Sequence, residues 1–146
     1  MLRYLCILFF SALLFGQDLR LQVLCTTDTH GKILAEDAFT LQPQPQGWAK
    51  LATLIRELKA KNPNSILVDC GDTLQGEPSS YVRARLKPDL PDPAMAIMNA
   101  LGFHAMTVGN HDFDFGMDIL RGAEQQAQFP IISANTVRVF RWRPAP

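Results

Sequence analysis

The chain has 146 residues, room for one domain and not comfortably for two. It is 47% hydrophobic and 19% charged, so it can bury a core and is not a disordered tail. Fourteen basic residues balance fourteen acidic ones, which excludes the basic footprint of a general nucleic-acid binder and a highly acidic solvating protein.

The first element reads as a targeting segment. Residues 5–15 form an eleven-residue apolar run behind Arg3. That length suits a signal peptide and is too short to span a bilayer. Gln17 and Asp18 restore polarity, and the small Gly16 permits cleavage after it. Leu14 is larger than the small residue usual at that place, so an uncleaved N-terminal anchor stays open. Residues 1–16 are therefore set aside from the fold, and residues 17–135 are taken as the domain.

Residues 19–26 alternate and then turn apolar, which predicts a strand. Residues 27–32 are a polar loop, and Pro43 and Pro45 keep 33–46 irregular. Residues 47–61 place Trp48, Leu51, Leu54, Ile55 and Leu58 at helical spacing. Residues 65–69 (SILVD) are a short continuous run typical of a parallel strand buried on both faces. A loop follows to residue 80, with a helical turn or more across 79–86. Residues 93–101 read as a helix, with Pro93 in its first turn and Gly102 at its stop. Residues 105–108 form a third strand and 116–128 a helix with Met117, Ile119, Leu120 and Ala123 inward. Residues 130–133 give a fourth strand. Repeated β–α units imply an α/β fold, a mostly parallel sheet with helices on its faces. Right-handed crossovers then bring the strand C-termini to one edge, where open α/β sheets place ligands.

Cys25 and Cys70 each end an apolar strand-like run. Two buried free thiols and a single bridge between neighbouring strands are both compatible with that placement.

Polar clusters fall on the ligand-binding edge. Asp28-Thr29-His30 follows the first strand, Gly71-Asp72 the second, and Gly109-Asn110-His111-Asp112 with Asp114 the third. These O and N donors suit divalent metals. In an extended Asp-x-His loop, residues two apart share a side. A carboxylate such as Asp72 can bridge two cations ~3.5–4 Å apart, the spacing of two-metal phosphoester hydrolysis. Gly71 and Gly109 permit tight approach of the loops. Each cluster alone is an ordinary loop feature; their order at successive strand ends is not.

Together with Thr73-Leu74-Gln75-Gly76-Glu77-Pro78 and Phe113-Asp114, these motifs resemble the first three signatures of calcineurin-like metallophosphoesterases. The similar branch is the exported 5′-nucleotidase and 2′,3′-cyclic-nucleotide phosphodiesterase family. The resemblance implies the N-terminal half of an αββα sandwich and an exported, periplasmic or secreted, hydrolase of nucleotides or other phosphoesters. It implies two divalent cations of Mn, Zn, Fe or Co acting as Lewis acids. Asp28 and His30 would bind the first metal, Asp72 both, and Asn110 the second. His111 would stabilise charge on the phosphoryl group or protonate the leaving oxygen, oriented by Asp114. Asp112 is given no metal-binding role.

The family's domain carries further metal-binding histidines downstream, whereas this chain's only histidines are His30, His104 and His111. The second metal site is thus incomplete in this chain. His104 reads as an ordinary strand-edge histidine. Residues 136–146, with Arg138, Arg141 and Arg143 between Phe140 and Trp142, read as a prematurely ended or frame-altered tail and not as a nucleic-acid surface. The expectation is an N-terminal part of a phosphoesterase, poorly active by itself. The alternative is a non-catalytic metal- or ligand-binding remnant. No nucleic-acid polymer is expected as partner, and a membrane only through an uncleaved N-terminus. The sequence leaves oligomeric state and the particular phosphoester open.

Overall fold

Gln22–Thr26 (β1) and Ser65–Asp69 (β2) pair in parallel, with Val23 opposite Ile66 and Thr26 opposite Asp69. The structure, a computed structural model, describes residues 19–137. The leader expected at residues 1–16 and the tail from Arg138 onward lie outside the described residues. Ala105–Thr107 (β3) and Ile131–Ile132 (β4) complete a four-stranded parallel sheet in the order β1-β2-β3-β4. Since all four strands run one way, their C-terminal ends share an edge. The first strand is shorter than its sequence pattern. It begins at Gln22 because β2 begins at Ser65, and before that only Asn64 offers a carbonyl to the Gln22 N–H.

Four helices connect the strands: Trp48–Lys61 (α1), Pro78–Tyr81 (α2, which runs into a π-helical turn Val82–Leu86), Pro93–Leu101 (α3) and Met117–Gln126 (α4). The Asp92 carboxylate caps α3 by accepting from the N–H groups of Ala94 and Met95 at 3.0 and 3.2 Å. Gly102 ends that helix in the left-handed region at φ 69°. The Lys59 ammonium donates to the Leu101 carbonyl at 2.9 Å, so the last turn of α1 satisfies an end group of α3.

The core lies on one face of the sheet. Trp48, Leu67, Met95, Met98 and Met106 are fully buried, and Leu24 and Ile131 pack against them. Register puts Leu24, Leu67, Met106 and Ile131 on this face. Their neighbours Val23 and Ile132 point the other way and are 61% and 50% exposed. The expected α/β arrangement, a parallel sheet with helices, is present; only the expectation that β2 is buried on both faces is corrected, since Ile66 and Val68 on its other face are half-buried. Among the described residues α1, α3 and α4 join one core and leave the opposite face open. Met117, expected inward, is also exposed because it starts α4 at the helix's outer end. The buried-thiol reading fails as well. Cys25 and Cys70 are free and exposed, their sulfurs 3.2 Å apart on the open face.

Candidate metal centre

Three loops meet at the C-terminal edge. The N–H of Asp28 donates to the Gly71 carbonyl at 3.0 Å and that of His30 to the Asp72 carbonyl at 2.9 Å, so the first two loops are zipped together. The third joins through the His111 N–H, which donates to Asp72 Oδ1 at 2.8 Å. A side chain at Gly71 would collide with the Gly109 backbone, and one at Gly109 with Asp72. Glycine at both positions therefore allows the second and third loops to touch.

The expected ligands of the first position are brought together. Asp28, His30 and Asp72 offer ligand atoms within 4.8 Å of one another. All three adopt left-handed backbone, at φ 52°, 47° and 56°. Such conformations cost on the order of 1–3 kcal/mol per non-glycine residue and concentrate at functional sites. The interlocking loop hydrogen bonds hold them there.

His30 is preset for ligation. Its Nδ1 lies 2.8 Å from the Gln75 carbonyl, which only accepts, so Nδ1 carries the proton. That leaves the Nε2 lone pair free, 3.9 Å from Asp28 Oδ1. The segment after Asp72 clamps this residue from both sides. The Glu77 N–H donates to the His30 carbonyl at 3.0 Å, and the Glu77 carboxylate pairs with buried Lys32 at 3.0 Å. One neutral imidazole nitrogen and two carboxylates are a suitable donor set for a divalent transition metal.

Asn110 opens the tight 3-10 turn His111–Phe113 and is exposed at the same edge. His111 Nδ1 lies 2.9 Å from Asp114 Oδ2. That hydrogen bond is the largest cause raising the His111 pKa above its ordinary value, so the ring retains its proton to higher pH. The rings of His30 and His111 meet edge to face at 5.4 Å.

Two carboxylates outside the expected ligand set organise this edge. Asp112 is 1% exposed. Its Oδ1 accepts from the N–H of Thr73 and Leu74 at 2.8 and 2.9 Å, and its Oδ2 from those of Asp72 and Gly109, both at 2.9 Å. Asp69, also buried, accepts from Thr26 Oγ1, Thr73 Oγ1 and the Gly71 N–H at 2.6, 2.8 and 2.8 Å. Burial raises its pKa, and these hydrogen bonds oppose the rise. The signal for Asp69 was an acid closing an apolar strand. Asp112 had none beyond its place after Asn110-His111. His104 is a strand-edge residue as expected. Its Nδ1 accepts the Leu67 N–H at 3.1 Å, extending the β2–β3 pairing.

Known proteins resemble this chain in sequence and in fold. The family described as calcineurin-like phosphoesterase matches residues 21–145. The chain is 37% identical over 124 residues to a 2′,3′-cyclic-nucleotide 2′-phosphodiesterase/3′-nucleotidase of Haemophilus influenzae, covering 83% of this chain and 19% of that protein. It is 35% identical over 125 residues to a snake venom 5′-nucleotidase of Gloydius brevicauda, covering 84% and 19%. The chain thus spans about a fifth of the length of these curated relatives. The crystal structure of the calcineurin-like phosphoesterase YfkN from Bacillus subtilis superposes with a TM-score of 0.72 at 36% identity, over 77% of this chain and 36% of that one.

Proposed function

The chain belongs to the calcineurin-like phosphoesterase family, and from that premise we propose that it supplies the first metal-binding half of a catalytic domain, residues 17–135, that hydrolyses nucleotide phosphoesters. The observation that carries this reading is the convergence of Asp28, His30 and Asp72 from two strand ends onto one 4.8 Å cluster, each in left-handed backbone. Both the Haemophilus and the Gloydius relatives are named as nucleotide hydrolases, which supports the substrate class.

In this reading Asp28, His30 and Asp72 hold one divalent cation, and Asp72 and Asn110 contribute to a second. Bound divalent cations supply Lewis acidity toward a phosphoryl oxygen and a water. The protein's own groups do the rest. The Gln75 carbonyl fixes His30 so that Nε2 faces the site. The Asp114 carboxylate fixes His111 so that Nε2 is left for a phosphoryl or leaving-group oxygen. With its pKa raised, His111 is suited to hold a proton there and to give it to the departing alkoxide.

Calorimetric titration with Mn²⁺ or Zn²⁺ tests the reading. Binding in the wild-type chain that disappears in Asp28→Ala and in His30→Ala supports it; binding that survives both changes overturns it. A second reading, a remnant that binds metal without turnover, is favoured by the donor count: three clustered acid or histidine ligands among the described residues. Equal metal affinity with no hydrolysis of any nucleotide, even in a polypeptide carrying the further histidines of the family, would establish that one.

We also propose export, on the strength of the apolar run at residues 5–15 behind Arg3. Fractionation of C-terminally tagged protein tests it, and full-mass protein in the cytosol would overturn it.

A further inference from the structure

We propose that Cys25 and Cys70 form a dithiol site that reacts with small disulfides and closes into an intramolecular disulfide between β1 and the loop after β2. The pair lies outside the ligand cluster, on the open face of the sheet. Both thiols are free and exposed, and their sulfurs are 3.2 Å apart although 45 residues separate them in sequence. The sheet fixes this approach. The register sets Cys25 opposite Val68, and the Cys70 N–H donates to the Thr26 carbonyl at 2.8 Å, so the two backbones are held side by side where the sulfurs meet. A disulfide needs sulfurs ~2.05 Å apart, so closure asks for about 1.2 Å of approach, within reach of side-chain rotation. Exposure on the same face gives an oxidant access to either sulfur.

The chemistry balances with a small disulfide such as oxidised glutathione. One protein sulfur attacks the oxidant, an S–S bond of the oxidant breaks, and the first small thiol leaves. The second protein sulfur then attacks the mixed disulfide and releases the second small thiol. The protein loses two electrons and two protons, and two molecules of reduced thiol carry them away. The new bond would join the root of the Asp28–His30 loop to the root of the Asp72 loop, three residues before Asp28 and two before Asp72. The linkage itself does not depend on the phosphoesterase reading.

Cys6→Ser protein, which retains Cys25 and Cys70 alone, is treated with oxidised glutathione and then alkylated under denaturing conditions. We expect alkylatable thiols to fall from two to none. Tryptic digestion should give peptide 21–32 linked to peptide 62–83 within a single monomer. Reduction should restore both thiols, and Cys25→Ser in the same background should hold glutathione on Cys70 as a lasting mixed adduct. Two thiols that stay alkylatable would overturn the proposal. So would an unresolved glutathione adduct on the two-thiol protein, or a link found only between monomers.

Discussion

The Asp112 carboxylate accepts the backbone N–H of Asp72 at 2.9 Å, so the residue after His111 sets the backbone from which the Asp72 carboxylate reaches out. The same carboxylate takes three further N–H groups, two on each oxygen in all. Only a group that accepts at both atoms fits. In Asp112→Asn the amide nitrogen would face two N–H donors. Each buried donor left unsatisfied costs about 1–3 kcal/mol. Urea unfolding should therefore show Asp112→Asn destabilised by about 2–6 kcal/mol. An unchanged midpoint would mean that this carboxylate does not organise the loops.

Asp72 should matter more for metal than Asn110, because it belongs to both proposed positions. Asp72→Asn keeps an oxygen to accept the His111 N–H, so the loop contact survives while the charge is lost. Removing partners of metal ligands typically costs 10–100-fold in affinity, and a shared ligand should cost at least about 100-fold. Asn110→Ala should weaken Mn²⁺ binding much less in this chain. Small, equal effects in calorimetry would remove the shared role of Asp72.

The succession of strands along the chain and the three motif loops were legible in the residues, because polar clusters punctuate apolar runs at each strand end. What the sequence left hidden depends on contacts between loops. The Gln75 carbonyl that presets His30 is backbone, and no residue type announces it. Asp112 looked like the acid of a loop, whereas its burial follows from the touching of Gly71 and Gly109. The cysteines were misjudged for a related reason. An apolar run does not reveal which face of its strand is covered, and the residues of β1 and β2 that alternate with the core face outward.

The His111–Asp114 pair makes a spectroscopic prediction independent of catalysis. The carboxylate favours the charged imidazole, so the His111 pKa is raised, and Asp114→Asn should lower it. For a raised histidine, the stability contribution is complete below the unfolded-state pKa and is lost as pH rises through the folded value. NMR titration of the ring protons in both proteins checks this. A His111 pKa equal or higher in Asp114→Asn would show that the contact does not orient a charged ring.

Asp69 gives the opposite kind of pH dependence from an ordinary paired acid. Burial raises its pKa above 3.8, so the folded chain binds its proton more tightly than the unfolded chain. Its contribution is therefore fully present below the unfolded value and is lost as pH rises through the folded one. Asp69→Asn removes this titration and retains one oxygen acceptor. Its stability relative to wild type should improve as pH rises from about 3.5 toward neutrality. Denaturant midpoints measured across that range decide; a relative stability of Asp69→Asn that worsens with rising pH would reverse the assignment.

A polypeptide of these 146 residues should be a poor phosphoesterase by itself. Two-metal hydrolysis requires both cations in a shaped site that controls water. The donors proposed here number three at the first position, Asp28, His30 and Asp72, and two at the second, Asp72 and Asn110. Metal binding is coupled to assembly of the whole donor set, so a position with two protein donors should stay largely empty at ordinary metal concentrations. The open face of the sheet adds a second cost. Val23 and Ile132 expose apolar surface there, which favours association over a rigid site. We expect binding of one Mn²⁺, weakly, and hydrolysis of 2′,3′-cyclic AMP far slower than by the full-length Haemophilus relative in a parallel assay. If the two turn over comparably, this expectation fails. A dimer in sedimentation, with activity lost on dilution below its dissociation constant, would then show donors supplied by a second copy of the chain, and an active monomer would show that the first three loops suffice.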